Sequence, residues 1–327
     1  MLALLRARKS GLYRETSDRS RPTQYHIHGE SLAGFQLQSH LPRQPYSLDE
    51  IKERLIKRID DKAAEIIKAR GLKQDKLPVV LIGHSIGTWL ILEAIESASK
   101  KASTFRSAKI SAGILLFPTV LDLAKSPNGL RLGVGCKYGS EIANADYKQW
   151  ILQYRHTAVV LSLITRILFF LIPLIALTPL LEVLLRMPYH SALVTASFLK
   201  KGGGVRQGLH MARDELAQVR EDVWSDALWG VQSPSLSTKE AKTLAKDIVG
   251  SPVKLYFYWG SNDHWVANAT RDAVIARRAQ TAAADDRGKP VMHIDSHGLP
   301  HAFALHDRDA RLVADKVAGW IEELRDC

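Results

Sequence analysis

Cysteine is scarce in this 327-residue chain: there are two, Cys136 and Cys327, the second being the last residue. With no CxxC and no Cys/His cluster, the sequence has neither a disulfide framework nor the ligand spacing of a zinc site, and a reducing compartment and no metal are expected. A secretory leader is not expected either, because the apolar run Leu2, Leu4, Leu5 beside Arg6, Arg8 and Lys9 is far shorter than a signal h-region. No internal repeat is visible, and Gly202–Gly204 is the only low-complexity patch. Lys and Arg number 45 against 34 Asp and Glu, a formal net charge of +11. That charge would attract nucleic acid or, equally, an anionic lipid surface, and charge alone does not choose; with no nucleic-acid motif or aromatic interleaving, nucleic acid is not the expected partner.

What is present points to one large α/β unit with an insertion. Hydrophobic residues make up 46% of the chain, enough for a packed core. Residues 1–22 carry Arg6, Arg8, Lys9, Arg14, Arg19 and Arg21 with little apolar periodicity, and are read as a basic, poorly ordered arm. From Ser47 to Arg70, Leu48, Ile51, Leu55, Ile59, Ala63, Ile66 and Ile67 recur at helical spacing. Ser47 is placed as N-cap, Glu50 as its capping-box partner and Gly71 at the C-terminal end. Leu77–Ile82 is a short unbroken apolar run that ends at Gly83 and precedes a helical pattern over Ile86–Ile95. Ile110–Phe117, Val253–Trp259 and Pro290–Ile294 repeat the buried-strand signature, and a last helix is expected over Asp309–Arg325. Buried strands alternating with helices predict a mostly parallel, doubly wound sheet. The stretch from 121 to 250 is too long for a crossover and is read as a helical lid. The core then comprises 23–120 and 251–327.

Gly83-His84-Ser85-Ile86-Gly87 fits G-x-S-x-G at a strand-to-helix junction, the nucleophile elbow of the α/β-hydrolase fold. The sharp turn would lift the Ser85 hydroxyl above the sheet, the two glycines would avoid collisions with neighbouring backbone, and the Ile86 amide would meet a developing oxyanion. The competing reading is a serine capping its helix. In this fold the acid and base follow the serine in chain order. Asp263, after the strand Val253–Trp259 and the turn Gly260-Ser261-Asn262, is the candidate acid, against the alternative of a turn Asp bonding its own backbone. His301, in Gly298-Leu299-Pro300-His301-Ala302-Phe303, is the candidate base. His297 is its serious rival; His264 adjoins the acid, His293 lies within a strand and His306 lies beyond the loop. The implied chemistry is acyl transfer without a cofactor.

Leu81–Gly87, Tyr256–Val266 (Tyr-Phe-Tyr-Trp-Gly-Ser-Asn-Asp-His-Trp-Val) and Leu299–Phe303 resemble the lipid droplet-associated hydrolase family, over a span from about Tyr25 to the C-terminus. The resemblance implies a Ser85, Asp263, His301 triad, attachment to lipid droplets and endoplasmic reticulum, and hydrolysis of neutral-lipid esters such as sterol esters or acylglycerols. No protein partner is specified. Family members carry an early strand and a Gly-Asn-Pro-Gly-like oxyanion turn where this chain has its basic arm, so the first oxyanion donor is expected to be missing; His28-Gly29 offers an HG-type substitute, but against the family pattern it falls on the next strand and loop. The alternative function is therefore a catalytically weak droplet protein that binds lipid through its insertion.

Within the insertion, Ala158–Leu185 is the most apolar part of the chain, interrupted by Arg166, Pro173, Pro179 and Glu182. Ser85 precedes it and Asp263 follows it, so a single membrane crossing would separate nucleophile from acid. The two readings are a hairpin bent near Pro173 and Pro179 that enters a lipid surface, and a buried lid helix. Arg155, Arg166, Arg186, Lys200 and Lys201 flank it as expected contacts for phosphate head groups or as a solvated rim.

Overall fold

Residues 25–37, 45–132, 157–201, 203–229, 253–280 and 288–324 are described by a computed structural model. The arm over 1–22 lies outside these residues. Helix α1 (Leu48–Arg70) starts where the capping box places it: Ser47 Oγ accepts from the Glu50 amide, and the Glu50 carboxylate accepts from the Ser47 amide at 2.8 Å. Gly71, left-handed at φ 57°, closes the helix by taking the conformation that a Cβ would penalise.

Strand β1 (Leu77–His84) leads directly into α2 (Ile86–Lys100), followed by β2 (Ala108–Leu116), β3 (Lys254–Trp259), α8 (Asn268–Gln280), β4 (Val291–Ile294) and α9 (Asp307–Glu323), with the helices of the insertion between β2 and β3. The described strands form one parallel sheet in the order β1-β2-β3-β4. The aligned pairs His84 with Leu116, Leu116 with Tyr258 and Trp259 with Ile294 bring all four C-terminal ends to one edge. That edge is where an α/β sheet holds its ligands.

The period-two alternation of β3 shows why both faces are covered. Leu255, Phe257 and Trp259 enter a core with Leu48 and Ile51 of α1, Trp89, Leu90, Ile91, Leu92 and Ile95 of α2 and Val274 of α8. Tyr256 and Tyr258 point to the other face, against Val313, Val317 and Trp320 of α9. The result is a three-layer α/β architecture with helices on both sides of a parallel sheet.

The insertion contains α3 (Pro127–Leu132), α4 (Thr157–Leu171), α5 (Leu174–Leu185), α6 (Tyr189–Lys200) and α7 (Gly204–Gln218). Its entry and exit are joined at a neck, where the amides of Asp122 and Leu123 donate to the carbonyls of Arg220 and Val219 at 3.1 Å. The exit segment is fastened to the core. Val219, Trp224, Leu228 and Trp229 are buried in the main cluster, the Trp224 indole donates to Glu93 at 2.9 Å, and buried Glu96 accepts from the Ser225 hydroxyl at 2.8 Å. Arg278 of α8 pairs with Asp222 and lies 4.2 Å above the Trp229 ring. α7 is bound to the N-terminal segment, where the buried Gln207 amide accepts from the Tyr46 amide at 2.8 Å and donates to the Tyr46 carbonyl at 2.9 Å.

α4 and α5 differ in kind from these seated parts. Among the described residues no single helix is long and apolar enough to cross a membrane, but Leu163–Phe169 and Leu174–Leu185 together form an apolar pair bent by 111°. The bend falls at Pro173, which has no amide hydrogen to continue a helix, whereas Pro179 sits inside α5 without ending it. Leu177 and Leu181 pack inward on Ala192 and Ala196 of α6. Leu171, Ile175 and Val183 are 77%, 85% and 79% exposed, with Leu163, Ile164, Ile167, Leu168 and Leu184 also exposed.

Two of the expected head-group contacts are otherwise engaged. Lys200 Nζ donates to the carbonyls of Phe169 and Ile172 at 2.7 Å each, and Lys201 bonds the Gln36 carbonyl. The physical reason is that the last carbonyls of α4 have no partner within their own helix and carry the negative end of its dipole, so a lysine satisfies them. Arg186 is exposed and caps α5 in the left-handed conformation. Arg155 and the Arg166 side chain lie outside the described residues.

Candidate active site

Ser85 occupies the junction of β1 and α2 with φ 55° and ψ −129°, a backbone state that non-glycine residues adopt only under constraint. Its amide is held by the Leu116 carbonyl at 3.1 Å. Ser85 makes no side-chain cap on α2. The collision argument applies to one glycine of the motif and not to the other. A Cβ on Gly83 would come within 2.6 Å of the Gly87 carbonyl oxygen, so α2 can approach β1 only with glycine there, whereas a Cβ on Gly87 would meet nothing. Gly87 thus clears no backbone by lacking a side chain; it supplies the carbonyl that excludes one from Gly83.

The Ser85 hydroxyl lies 2.8 Å from Nε2 of His301, whose Nδ1 lies 2.7 Å from Oδ2 of Asp263. One imidazole therefore bridges residues from the ends of β1 and β3 while itself following β4. Asp263 is 6% exposed, and its other oxygen accepts from the Trp265 amide at 2.8 Å. Both contacts are present at once: one oxygen makes the local turn and the other reaches the histidine. The turn is held from below by buried Arg271 of α8, whose guanidinium donates to the carbonyls of Gly260 and Ser261 at 2.9 and 2.8 Å.

The rival histidines are elsewhere. His297 is exposed and contributes its backbone amide to Asp295. His264 is exposed, His293 stacks on Tyr258 at 5.3 Å, and exposed His306 is the N-cap of α9. His28 bonds Glu30, which in turn accepts from Arg58 of α1, and among the described residues no hydrogen bond links His28-Gly29 to Ser85. Ile86 begins α2, where the first amides have no carbonyl to bond within their own helix.

Two neighbours of His301 carry no signal in the sequence beyond their type. Nε2 of His84 is 2.8 Å from the His301 carbonyl, and its ring lies 5.0 Å from that of His301. Burial, and next the nearby His301, push His84 down to about 4, so it is neutral and donates this bond through Nε2–H. Phe117, at the end of β2, has φ 47°, which a bulky residue rarely adopts. Its ring packs edge-on to His301 at 6.0 Å and against Phe303 at 5.1 Å, and a Cβ on Gly260 would touch it at 2.9 Å. A histidine in the elbow could have been suspected of facing the base, but nothing local announces a left-handed phenylalanine. Among the described residues no cluster of His, Cys, Asp or Glu could hold a metal ion.

The sequence profile described as Lipid-droplet associated hydrolase matches residues 11–304. The chain belongs to the lipid droplet-associated hydrolase family. Among curated proteins it is similar to a lipid droplet-associated hydrolase of Drosophila melanogaster, 26% identical over 246 residues, 75% of this chain. The aligned part spans 62% of that relative's length. Among solved structures, a haloalkane dehalogenase from Agrobacterium tumefaciens aligns over 89% of this chain and 78% of its own, with 12% identity and a TM-score of 0.46. A deformylase from Pseudomonas putida aligns over 85% and 76%, also with 12% identity and a TM-score of 0.40.

Proposed function

We propose that this protein hydrolyses carboxylic esters of neutral lipids, sterol esters or acylglycerols, at the cytosolic face of lipid droplets and endoplasmic reticulum, by Ser-His-Asp acyl transfer. The observation that carries the reading is the single imidazole within hydrogen-bond distance of both Ser85 Oγ and Asp263 Oδ2. With Asp263 accepting from Nδ1–H, Nε2 is left to accept the serine proton. Ser85 Oγ attacks the ester carbonyl carbon as His301 takes its proton, and the oxygen that becomes anionic is met by the Ile86 amide at the positive end of α2. His301 then gives the proton to the leaving alcohol. Water activated by the same imidazole releases the fatty acid and restores Ser85.

The lipid-surface part rests on the exposed apolar face of α4 and α5, a pair bent at Pro173. A droplet has one phospholipid layer over an oil core, so it admits an interfacial pair of this kind and not a span. The alternative of a catalytically weak lipid-binding protein shares this face and differs only in turnover. The deciding experiment is release of fatty acid from a phospholipid-coated emulsion of cholesteryl oleate or triolein. Turnover by the wild-type chain that Ser85→Ala abolishes supports the enzyme; equal rates from both contradict it.

A further inference from the structure

The chain bends away from the sheet after β4, and the residue at the bend is a carboxylate with no counter-cation among the described residues. Asp295 is 2% exposed. Its amide continues the ladder by donating to the Trp259 carbonyl at 2.7 Å, which fixes its backbone to the end of β3. Its side chain then turns under the loop that leads to His301. Oδ1 accepts from the Tyr258 hydroxyl at 2.8 Å and from the His297 amide at 3.1 Å, and Oδ2 accepts from the Leu299 amide at 2.7 Å. Gly298, left-handed at φ 67°, lets the chain turn between those two amides.

We propose that Asp295 is the positioning residue of the His301 loop, holding it in the one geometry that carries the imidazole to Ser85 and Asp263. Three donors converge on Asp295, and a carboxylate is the side chain of this size that offers only acceptors. Asparagine has nearly the same shape, yet in either orientation its NH₂ faces a backbone amide: that of His297 in one, that of Leu299 in the other. A buried donor facing a donor is unsatisfied, so the loop must shift. Burial, and then the bond to Asp295, push the Tyr258 phenol up, so it stays a donor at all ordinary pH. Because the contacts are to loop backbone, the consequence falls on the position of His301 rather than on any surface that holds substrate.

The proposal rests on His301 being the base, and the test separates the two ideas. The full-length chain and its Asp295→Asn, Tyr258→Phe and His301→Ala variants are compared for kcat and KM on a soluble p-nitrophenyl ester, with thermal midpoints measured alongside. Asp295→Asn should lower kcat roughly 10- to 100-fold with KM unchanged, since displacing a reacting group by about 1 Å costs on that order. Tyr258→Phe removes one donor and leaves both loop amides paired, so it should lower kcat by roughly 3- to 10-fold and less than Asp295→Asn. If Asp295→Asn does not accumulate as folded protein, Tyr258→Phe decides alone: reduced kcat at unchanged KM supports the clamp, and wild-type kcat overturns it. An inactive His301→Ala beside an Asp295→Asn of wild-type kcat overturns the clamp and leaves the base in place. An active His301→Ala overturns the base itself.

Discussion

The floor of the site and the α4–α5 pair make opposite use of side chains. Around Ser85, buried polar and charged groups have named partners: Asp263 with His301 and Trp265, Arg271 with two turn carbonyls, Asp295 with three donors. On α4 and α5 the reverse holds, since apolar side chains that would gain by leaving water stay in it. Yet the pair is not loosely attached, because Lys200 caps α4 at the bend and Leu177 and Leu181 pack on α6. An apolar face held by its own helix contacts, in the same chain as an ordered polar site, would suit an enzyme whose substrate is dissolved in another phase.

The largest effect expected is on lipid attachment. Replacing Leu168, Leu171, Ile175 and Val183 with serine should move the protein from droplets to the soluble fraction, because each buried aliphatic side chain contributes roughly 1.5 to 3 kcal/mol and the set on the order of 6 kcal/mol or more. The choice differs from what the apolar run alone suggests: Phe169 packs inward and belongs to the hairpin's own core. Flotation with droplets in low and high salt checks it. Continued flotation of the serine variant, or release of the wild type by salt alone, would make the face a lid and the basic surface the anchor.

Next in size is the site. Asp263→Asn should leave a folded protein with turnover reduced by roughly 10,000-fold, because the imidazole loses its tautomer. His297→Ala should keep wild-type turnover. Ester kinetics on the two variants side by side would expose an error in the assignment, since the reverse pattern moves the base to the exposed histidine.

The smallest effect concerns pH, and here the core and the insertion oppose each other. His84 is lowered from 6.5 to about 4, so the unfolded chain binds more protons between those values. Its stabilisation is full above about 6.5 and is lost as pH falls towards 4, by up to about 3 kcal/mol. Glu215 of α7 is raised to about 7, by burial first and then by Asp214, so its stabilisation is full at low pH and is lost as pH rises from 4.5 to about 7. Urea unfolding of His84→Gln from pH 4 to 7 should show the acid-side loss reduced, while Glu215→Gln should remove the loss on the other side. A His84→Gln curve that matches the wild type would mean that His84 is not held neutral.

Much of this architecture was legible in local sequence. The capping box at Ser47 and Glu50 and the strand-to-helix junction at Ser85 depend on neighbours a few residues apart, where period and turn chemistry are informative, whereas Asp263 and His301 were candidates only through the chain order that goes with such a junction. The parts that were not legible depend on distant pairing. Nothing near Lys200 indicates that it would cap α4 some 30 residues earlier, and nothing near Asp295 indicates that Tyr258 would meet it. The role given to Gly87 failed for a related reason, because which glycine relieves a collision depends on how closely α2 lies against β1. The left-handed Phe117 is a packing outcome imposed on a residue whose own preference opposes it.

The central claim is that His301 activates Ser85 for attack on a carbonyl, and its most direct measurement is labelling of the full-length protein by a serine-directed fluorophosphonate. The wild type should be labelled at Ser85, Ser85→Ala should not be labelled, and His301→Ala should react far more slowly while remaining folded. Labelling that persists in Ser85→Ala, or an equal rate in His301→Ala, would contradict the account.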